Sequence, residues 1–423
     1  MKYFVPQELV DQILDYLHDS PNALKACSFV SRSWLRTCRI HLHRQLCLES
    51  PSQPEDLPKF QRSCQLLASS PHLAPFIREF TLRGDQAGLV AIDDSILSIF
   101  KMLHSLRVVG LERLNWVDHQ SAFELLPQLV KSDSVVSIKL SYCRFSSYSD
   151  FLPLVGNSNS LRALSVSHCT MPDAATRDSL YEQDVPEVRK SLRCLRLEGS
   201  EQQFICDFLL HPLSPVSVES LSELHLSTPI DQNFAVAGKI LHTAGPALDS
   251  FNFDFTGELP TIPPHFGLTL SSGSIAHEYT TMDLTQSTNL RKLYLRGGSG
   301  RSAMFAGNTA VWSQALLTTA PSDSSLQEVT VCMRMDFVPL RGTHTNRWVD
   351  IEALLLQPRF QYLRRLHIHI ITGINIEEYP VVKFVSGEME QMMSTLYEKG
   401  VLCVEMESDH GHKEPPPVVI DWA

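Results

Sequence analysis

The 423-residue sequence has no apolar run approaching the ~20 residues that a membrane-spanning helix needs, so no membrane partner is expected. Between Met1 and Asp19, the acidic residues Glu8, Asp11 and Asp15 interrupt the apolar positions, unlike a secretory leader. Asn-x-Ser/Thr sequons are absent, and the 10 cysteines form no Cys-x-x-Cys pair. These gaps argue against secretion, a disulfide framework and a cysteine-rich zinc site. Reduced thiols in the cytoplasm or nucleus are the expectation. Positive charge is also scarce. Lys and Arg total 36 against 47 Asp and Glu, a net of −11. Residues 1–50 carry six Lys/Arg against five acids, so the deficit lies beyond them. An acidic body is poorly suited to neutralising phosphates, and no nucleic-acid partner is expected.

Signatures of catalysis are missing as well. There is no P-loop, no Gly-x-Ser-x-Gly and no His-Glu-x-x-His. Gly298-Ser299-Gly300-Arg301-Ser302-Ala303 imitates a dinucleotide loop without an acidic residue at the required distance, and reads as a repeat turn. Asp409, His410 and His412 lie beside Pro415, Pro416 and Pro417 in a polar tail, where imidazoles are normally just solvated. His367 and His369 share one strand face and suit a metal, but the sequence offers no third ligand. We therefore expect no catalytic residue, no metal and no cofactor.

What is present starts at Val5. Pro6 opens a helix, with Glu8 placed where negative charge meets the positive helix end. Leu9, Ile13, Leu14 and Leu17 follow at helical spacing. Ser20 and Pro21 start a second helix, striped by Leu24, Cys27 and Val30; Trp34, Cys38 and Leu42 stripe a third. A unit this small buries too little surface to stand alone, so its apolar faces need a partner or the rest of the chain.

These residues resemble the F-box, the motif that docks onto the Skp-type adaptor of cullin ubiquitin ligases. The family's hydrophobic-proline opening, acidic residue and leucine correspond to Val5, Pro6, Glu8 and Leu9; its later apolar positions correspond to Ile13, Leu14 and Leu17. Its valine, basic residue and tryptophan correspond to Val30, Arg32 and Trp34, and the run LKACSFVSRSWL is especially similar to F-box proteins of basidiomycete fungi. Val5 replaces the commoner leucine, and His43 stands where an aromatic residue is frequent. The resemblance implies adaptor contacts through Val5, Pro6, Leu9, Ile13, Leu14, Leu17, Leu24, Cys27, Val30 and Trp34.

Beyond a polar, proline-broken linker at Ser50 to Lys59, one pattern recurs: apolar, two residues, apolar, one residue, apolar. It starts at Ile77, Leu103, Val135, Leu161, Leu192, Leu221, Leu248, Leu290, Leu326 and Leu363. From Leu103 the steps are 32, 26, 31, 29 and 27 residues, then 42, 36 and 37, which implies insertions in the later part. Two copies place Cys143 and Cys169 at the asparagine/cysteine position of the leucine-rich-repeat pattern, where the side chain satisfies the backbone as it turns away. Helix-like segments intervene at Ser95 to Leu103, Ala122 to Val130, Gln202 to Leu210, Phe234 to Leu241, Val311 to Leu317 and Ile351 to Leu356. Glu377 to Lys399 reads as one long helix, with Leu402, Val404 and Met406 as a last strand.

The expected fold is α/β: a three-helix F-box over 1–49, a linker over 50–59, and an irregular leucine-rich-repeat solenoid over 60–407. Parallel strands would line its concave face with helices outside, followed by a tail over 408–423. Alternation puts Thr81 and Arg83, Arg107 and Val109, Lys139 and Ser141, and their later equivalents on the open strand face. Client recognition is expected at Asn252, Asp254, Tyr294, Arg296, His367 and His369, where aromatic and charged groups gather. The chain is thus expected to be a non-catalytic substrate receptor that binds the adaptor, through it a cullin, and a protein client. The alternative is a repeat scaffold or inhibitor acting outside ubiquitination.

Overall fold

Apolar residues two apart become the buried sides of short parallel strands. The computed structural model describes residues 5–49, 57–84, 99–116, 126–131, 133–171, 189–199, 202–227, 234–255, 282–297, 304–334, 345–372 and 381–408. Within them lies a parallel sheet of 12 strands taken in chain order. Residues 1–190 with 213–216 form one unit, and 191–212 with 217–423 form another. The first holds β1 (Gln45–Glu49), β2 (Glu79–Arg83), β3 (Val108–Glu112), β4 (Ser137–Ser141) and β5 (Ala163–Ser167). The second holds β6 (Cys194–Glu198), β7 (Glu223–Ser227), β8 (Ser250–Phe255), β9 (Lys292–Gly297), β10 (Glu328–Arg334), β11 (Arg365–Thr372) and β12 (Leu402–Ser408). No helix among the described residues is long and apolar enough to cross a membrane.

Register holds each unit together. In the first, Phe80, Val109, Ile138 and Leu164 stand side by side on neighbouring strands, and all four are buried. In the second, Leu195, Leu224, Phe251, Leu293, Val329 and Leu366 form the same kind of buried row. The pairing corrects one copy of the repeat. Val109 and Leu111, not Leu106 and Val108, are the inward residues of β3, so Arg107 and Val109 are not its open-face pair. Gly110 and Glu112 take those positions instead. The adjacent valines Val108 and Val109 fit both this frame and one starting three residues earlier, and an odd shift inverts every side chain of a strand. With the frame starting at Leu106, its steps to Ile77 and to Val135 are both 29 residues.

The strands leave the sheet in a recurring way. Arg113, Tyr142 and His168 adopt left-handed backbone (φ 54°, 55° and 50°), each two residues past the last inward residue of its strand; Gly199 does the same at φ 110°. Left-handed backbone is costly for a side chain, but here it carries hydrogen bonds. The Arg113 N–H donates to the Ser141 carbonyl and the Tyr142 N–H to the Ser167 carbonyl, both at 2.8 Å. The Tyr142 and His168 rings then stack at 4.8 Å. Cys143 follows at once, fully buried, and its Sγ donates to the Leu111 carbonyl at 3.2 Å, the backbone-satisfying role expected of it.

Helices at Gln202–Leu210 and Phe234–Ala244 fall where the spacing had put them, while Met304–Thr318 and Thr345–Leu355 overlap the expected segments but start seven and six residues earlier. Of the segments at Ser95 to Leu103 and Ala122 to Val130, residues 95–98 and 122–125 lie outside the described residues, while Leu126–Val130 is helical. Two boundaries differ from expectation. Residues 45–49 belong to the sheet, since β1 pairs in parallel with β2; of the proposed linker, 50–56 lie outside the described residues and 57–59 open a helix, Leu57–Ser69. The long C-terminal helix is two, Val381–Met392 and Ser394–Glu398, and 377–380 lie outside the described residues. Met389, Met393 and Leu396 are buried and Met392 half-buried, so most of the expected apolar side survives the break. Residues 298–303 and 409–423 are likewise outside the described residues.

Gly84 tests the packing of these turns. Its N–H donates to the Glu112 carbonyl at 2.8 Å, and a Cβ added there would stand 2.1 Å from the Arg113 carbonyl oxygen. Backbone cannot swing aside as a side-chain tip can. Gly84→Ala is expected to cost about 1–3 kcal/mol, in line with other overpacked sites, and to lower the calorimetric midpoint. An unchanged midpoint would mean that the turn yields freely.

Candidate recognition surfaces

Three helices precede β1: α1 (Gln7–Tyr16), α2 (Pro21–Ser28) and α3 (Arg32–Leu42). Pro6 caps α1 just before its first residue, Pro21 starts α2, and the Ser31 hydroxyl accepts the Trp34 N–H at 3.3 Å to start α3. Polar contacts fasten α1 to α3. The Thr37 hydroxyl donates to Asp11 at 2.7 Å, and His41 Nε2 lies 2.9 Å from Asp15 Oδ1. The Thr37 and Gln7 hydrogen bonds hold the Asp11 carboxyl below the usual range.

Two apolar stripes run along α1, and they go to different places. Val10 and Leu14 face inward and close a core with Leu24 and Cys38, against which Leu17, Cys27, Trp34 and Leu42 pack partly buried. Leu9 and Ile13, one residue earlier and so about 100° around the helix, remain 50% and 48% exposed. The residues of the expected contact set divide accordingly. Leu14 and Leu24 are buried inside the head, and Leu17, Cys27 and Trp34 are partly so. Val5, Pro6, Leu9, Ile13 and Val30 stay open to solvent. Two aromatic residues that the sequence analysis passed over join them: Tyr16 is 89% exposed and Phe29 88%. The spacing Leu9, Ile13, Tyr16 was readable as a second helical stripe.

In the second unit, register gathers the other candidates on one strand face. Arg196, His225, Asn252, Tyr294, Thr330, His367 and Cys403 form one row across neighbouring strands. Glu198, Ser227, Asp254, Arg296, Cys332, His369 and Glu405 form the next. All six residues named from sequence therefore lie together. Cys403 and Glu405 had been missed, although alternation from Leu402 and Val404 places them on this face.

The middle of the face is poorly solvated. Burial lowers His225 to about 4, helped by repulsion from Arg196 and Arg296. Burial also raises the Asp254 carboxyl to about 6, only partly offset by Arg296, whose Nη1 stands 3.9 Å from Oδ2. Asp254 Oδ1 and Asn252 Oδ1 are buried without a hydrogen-bond partner. The Tyr294 hydroxyl and the Cys332 thiol are pushed up chiefly by burial as well. At the far end, His367 Nε2 meets Glu405 at 3.0 Å and His369 Nε2 meets Glu407 at 3.1 Å. Buried, incompletely paired polar groups cost stability and are often kept for binding.

No family model matches this chain, and no curated protein does.

Asp254 offers a pH test. Its folded-state value lies above the unfolded one, so folding favours the protonated carboxyl. The cost is absent below about pH 4, grows as pH rises towards 6 and is constant above that. Asp254→Asn is expected to stabilise the chain by about 1–3 kcal/mol at pH 7.5 and by little at pH 4. Urea denaturation at the two pH values measures this; an equal effect at both would contradict the assignment.

Proposed function

We propose that this chain is the substrate-receptor subunit of a Skp/cullin/F-box ubiquitin ligase. In this reading α1 to α3 form an F-box that docks on the Skp-type adaptor, and the strands form an irregular leucine-rich-repeat array that receives a protein client. The observation that carries it is the division of α1. A head that closes its own small core through Val10 and Leu14 still offers Val5, Leu9, Ile13, Tyr16, Phe29 and Val30 to solvent. Exposed apolar side chains gathered on so small a unit mark an interaction surface.

The chain itself needs no active site for this role. Holding a client near a cullin-bound enzyme raises its effective concentration at the transferable ubiquitin, and tethering alone provides large gains. The polar, mixed-charge face from Arg196 to Cys403 suits protein recognition, with Tyr294 and Arg296 of the types that most often carry interface energy.

Ile13→Asp would put an unpaired charge into the apolar contact. It is expected to cost about 3 kcal/mol or more, roughly a hundredfold in affinity. The side chain is exposed, so the fold should persist. Recovery of adaptor and cullin with the wild type and their loss with Ile13→Asp, circular dichroism being unchanged, is the expected outcome. Undiminished recovery would defeat the F-box reading, and absence of both proteins from the wild type would favour a scaffold outside ubiquitination.

Client binding has its own test. Tyr294→Ala combined with Arg296→Ala is expected to retain adaptor while depleting proximity-labelled clients. An unchanged client set would exclude this face.

A further inference from the structure

We propose that His367, Cys403 and Glu405 form a mononuclear zinc site on β11 and β12. Parallel pairing sets His367 directly beside Cys403, and Glu405 lies two residues further along the same strand, on the same face. One imidazole nitrogen, the Cys403 Sγ and one Glu405 carboxylate oxygen all lie within 4.8 Å of one another. His367 Nε2 and Glu405 Oε2 are already 3.0 Å apart. Zn–N and Zn–O bonds of about 2.0–2.2 Å and a Zn–S bond of about 2.3 Å place tetrahedral ligand atoms roughly 3.4–3.7 Å apart. Closing the set needs small side-chain rotations, and Cys403 and Glu405 are exposed and have room to make them.

The donor chemistry selects the ion. Thiolate and carboxylate together balance a divalent charge, with the imidazole neutral. A mixed S, N and O set suits zinc and not calcium or magnesium, which take oxygen. His369, the partner that sequence alone offered, is otherwise engaged. Its Nε2 meets Glu407 at 3.1 Å and its Nδ1 lies 3.9 Å from Cys332 Sγ. The second and third ligands, Cys403 and Glu405, come instead from the neighbouring strand. Three protein ligands leave a fourth position for water or for a group from a partner. The ion would also clamp β12 to β11. This inference does not depend on the ubiquitin-ligase reading.

The full chain, stripped of metal by chelation and dialysis, is titrated with zinc chloride by calorimetry and, in parallel, with cobalt(II) in the spectrophotometer. The expected result is one equivalent of zinc bound, a rise in thermal midpoint, and a cobalt spectrum with a thiolate charge-transfer band. Cys403→Ser and His367→Gln should each weaken zinc binding by at least about tenfold, the loss that even outer-shell changes can cause, and Cys403→Ser should abolish the band. Cys47→Ser, at the other exposed cysteine, should change neither readout. Failure of the folded wild type to take up stoichiometric zinc would overturn the site. So would unchanged affinity in both ligand variants, or a cobalt complex lacking the thiolate band.

Discussion

Parallel pairing in strict register is the constraint on which the rest depends. Side chains of a strand alternate, so once Phe251 is inward, Asn252 and Asp254 must be outward, and each neighbour inherits the same choice. A slip of one residue would place Leu293 and Leu295 in water and Tyr294 and Arg296 in the apolar layer. The buried row thus enforces the order of the open rows. This is how residues as far apart in sequence as Arg196 and Cys403 come to share one face.

That face is not arranged for stability. Asp254 is held largely away from water with one oxygen unpaired, and burial, with repulsion from Arg196 and Arg296, pulls His225 well below the usual histidine value. A fold free to optimise would replace such groups with serine or threonine, as Ser165 and Ser167 show in β5. The head presents the complementary case. Its helices have enough apolar surface for two uses, and packing satisfies only one. A stripe on α1 closes the core and its neighbour is left facing solvent, at an energetic cost that a partner would relieve.

Much of this was legible in the chain. The interval between leucines located nearly every strand, because the inward rows of the sheet, such as Phe251, Leu293 and Val329, are apolar at each repeat. The misread copy, at Leu103, failed where Val108 and Val109 made two frames equally apolar, and only pairing with Phe80 and Ile138 chooses between them. The helix Tyr148–Gly156 lay outside the expected segments; it contains Pro153, and its start is marked by a capping box of Ser147 and Asp150 that a reading for apolar stripes overlooks. In α1, Leu9 and Leu14 look alike in sequence. Which of them is buried depends on where α3 lies, and that is tertiary information. Cys403 and Glu405 were within reach, since their alternation was known, but joining them to His367 needed the register between two strands.

The central claim is that the open stripe of the head is an adaptor surface and the strand face is not. Hydrogen–deuterium exchange on the full chain, with and without a Skp-type adaptor, tests it most directly. The account predicts slowed exchange through residues 7–16 and around Phe29 and Val30, with β6 to β12 unchanged. Protection confined to the strands, or none anywhere at saturating adaptor, would contradict it.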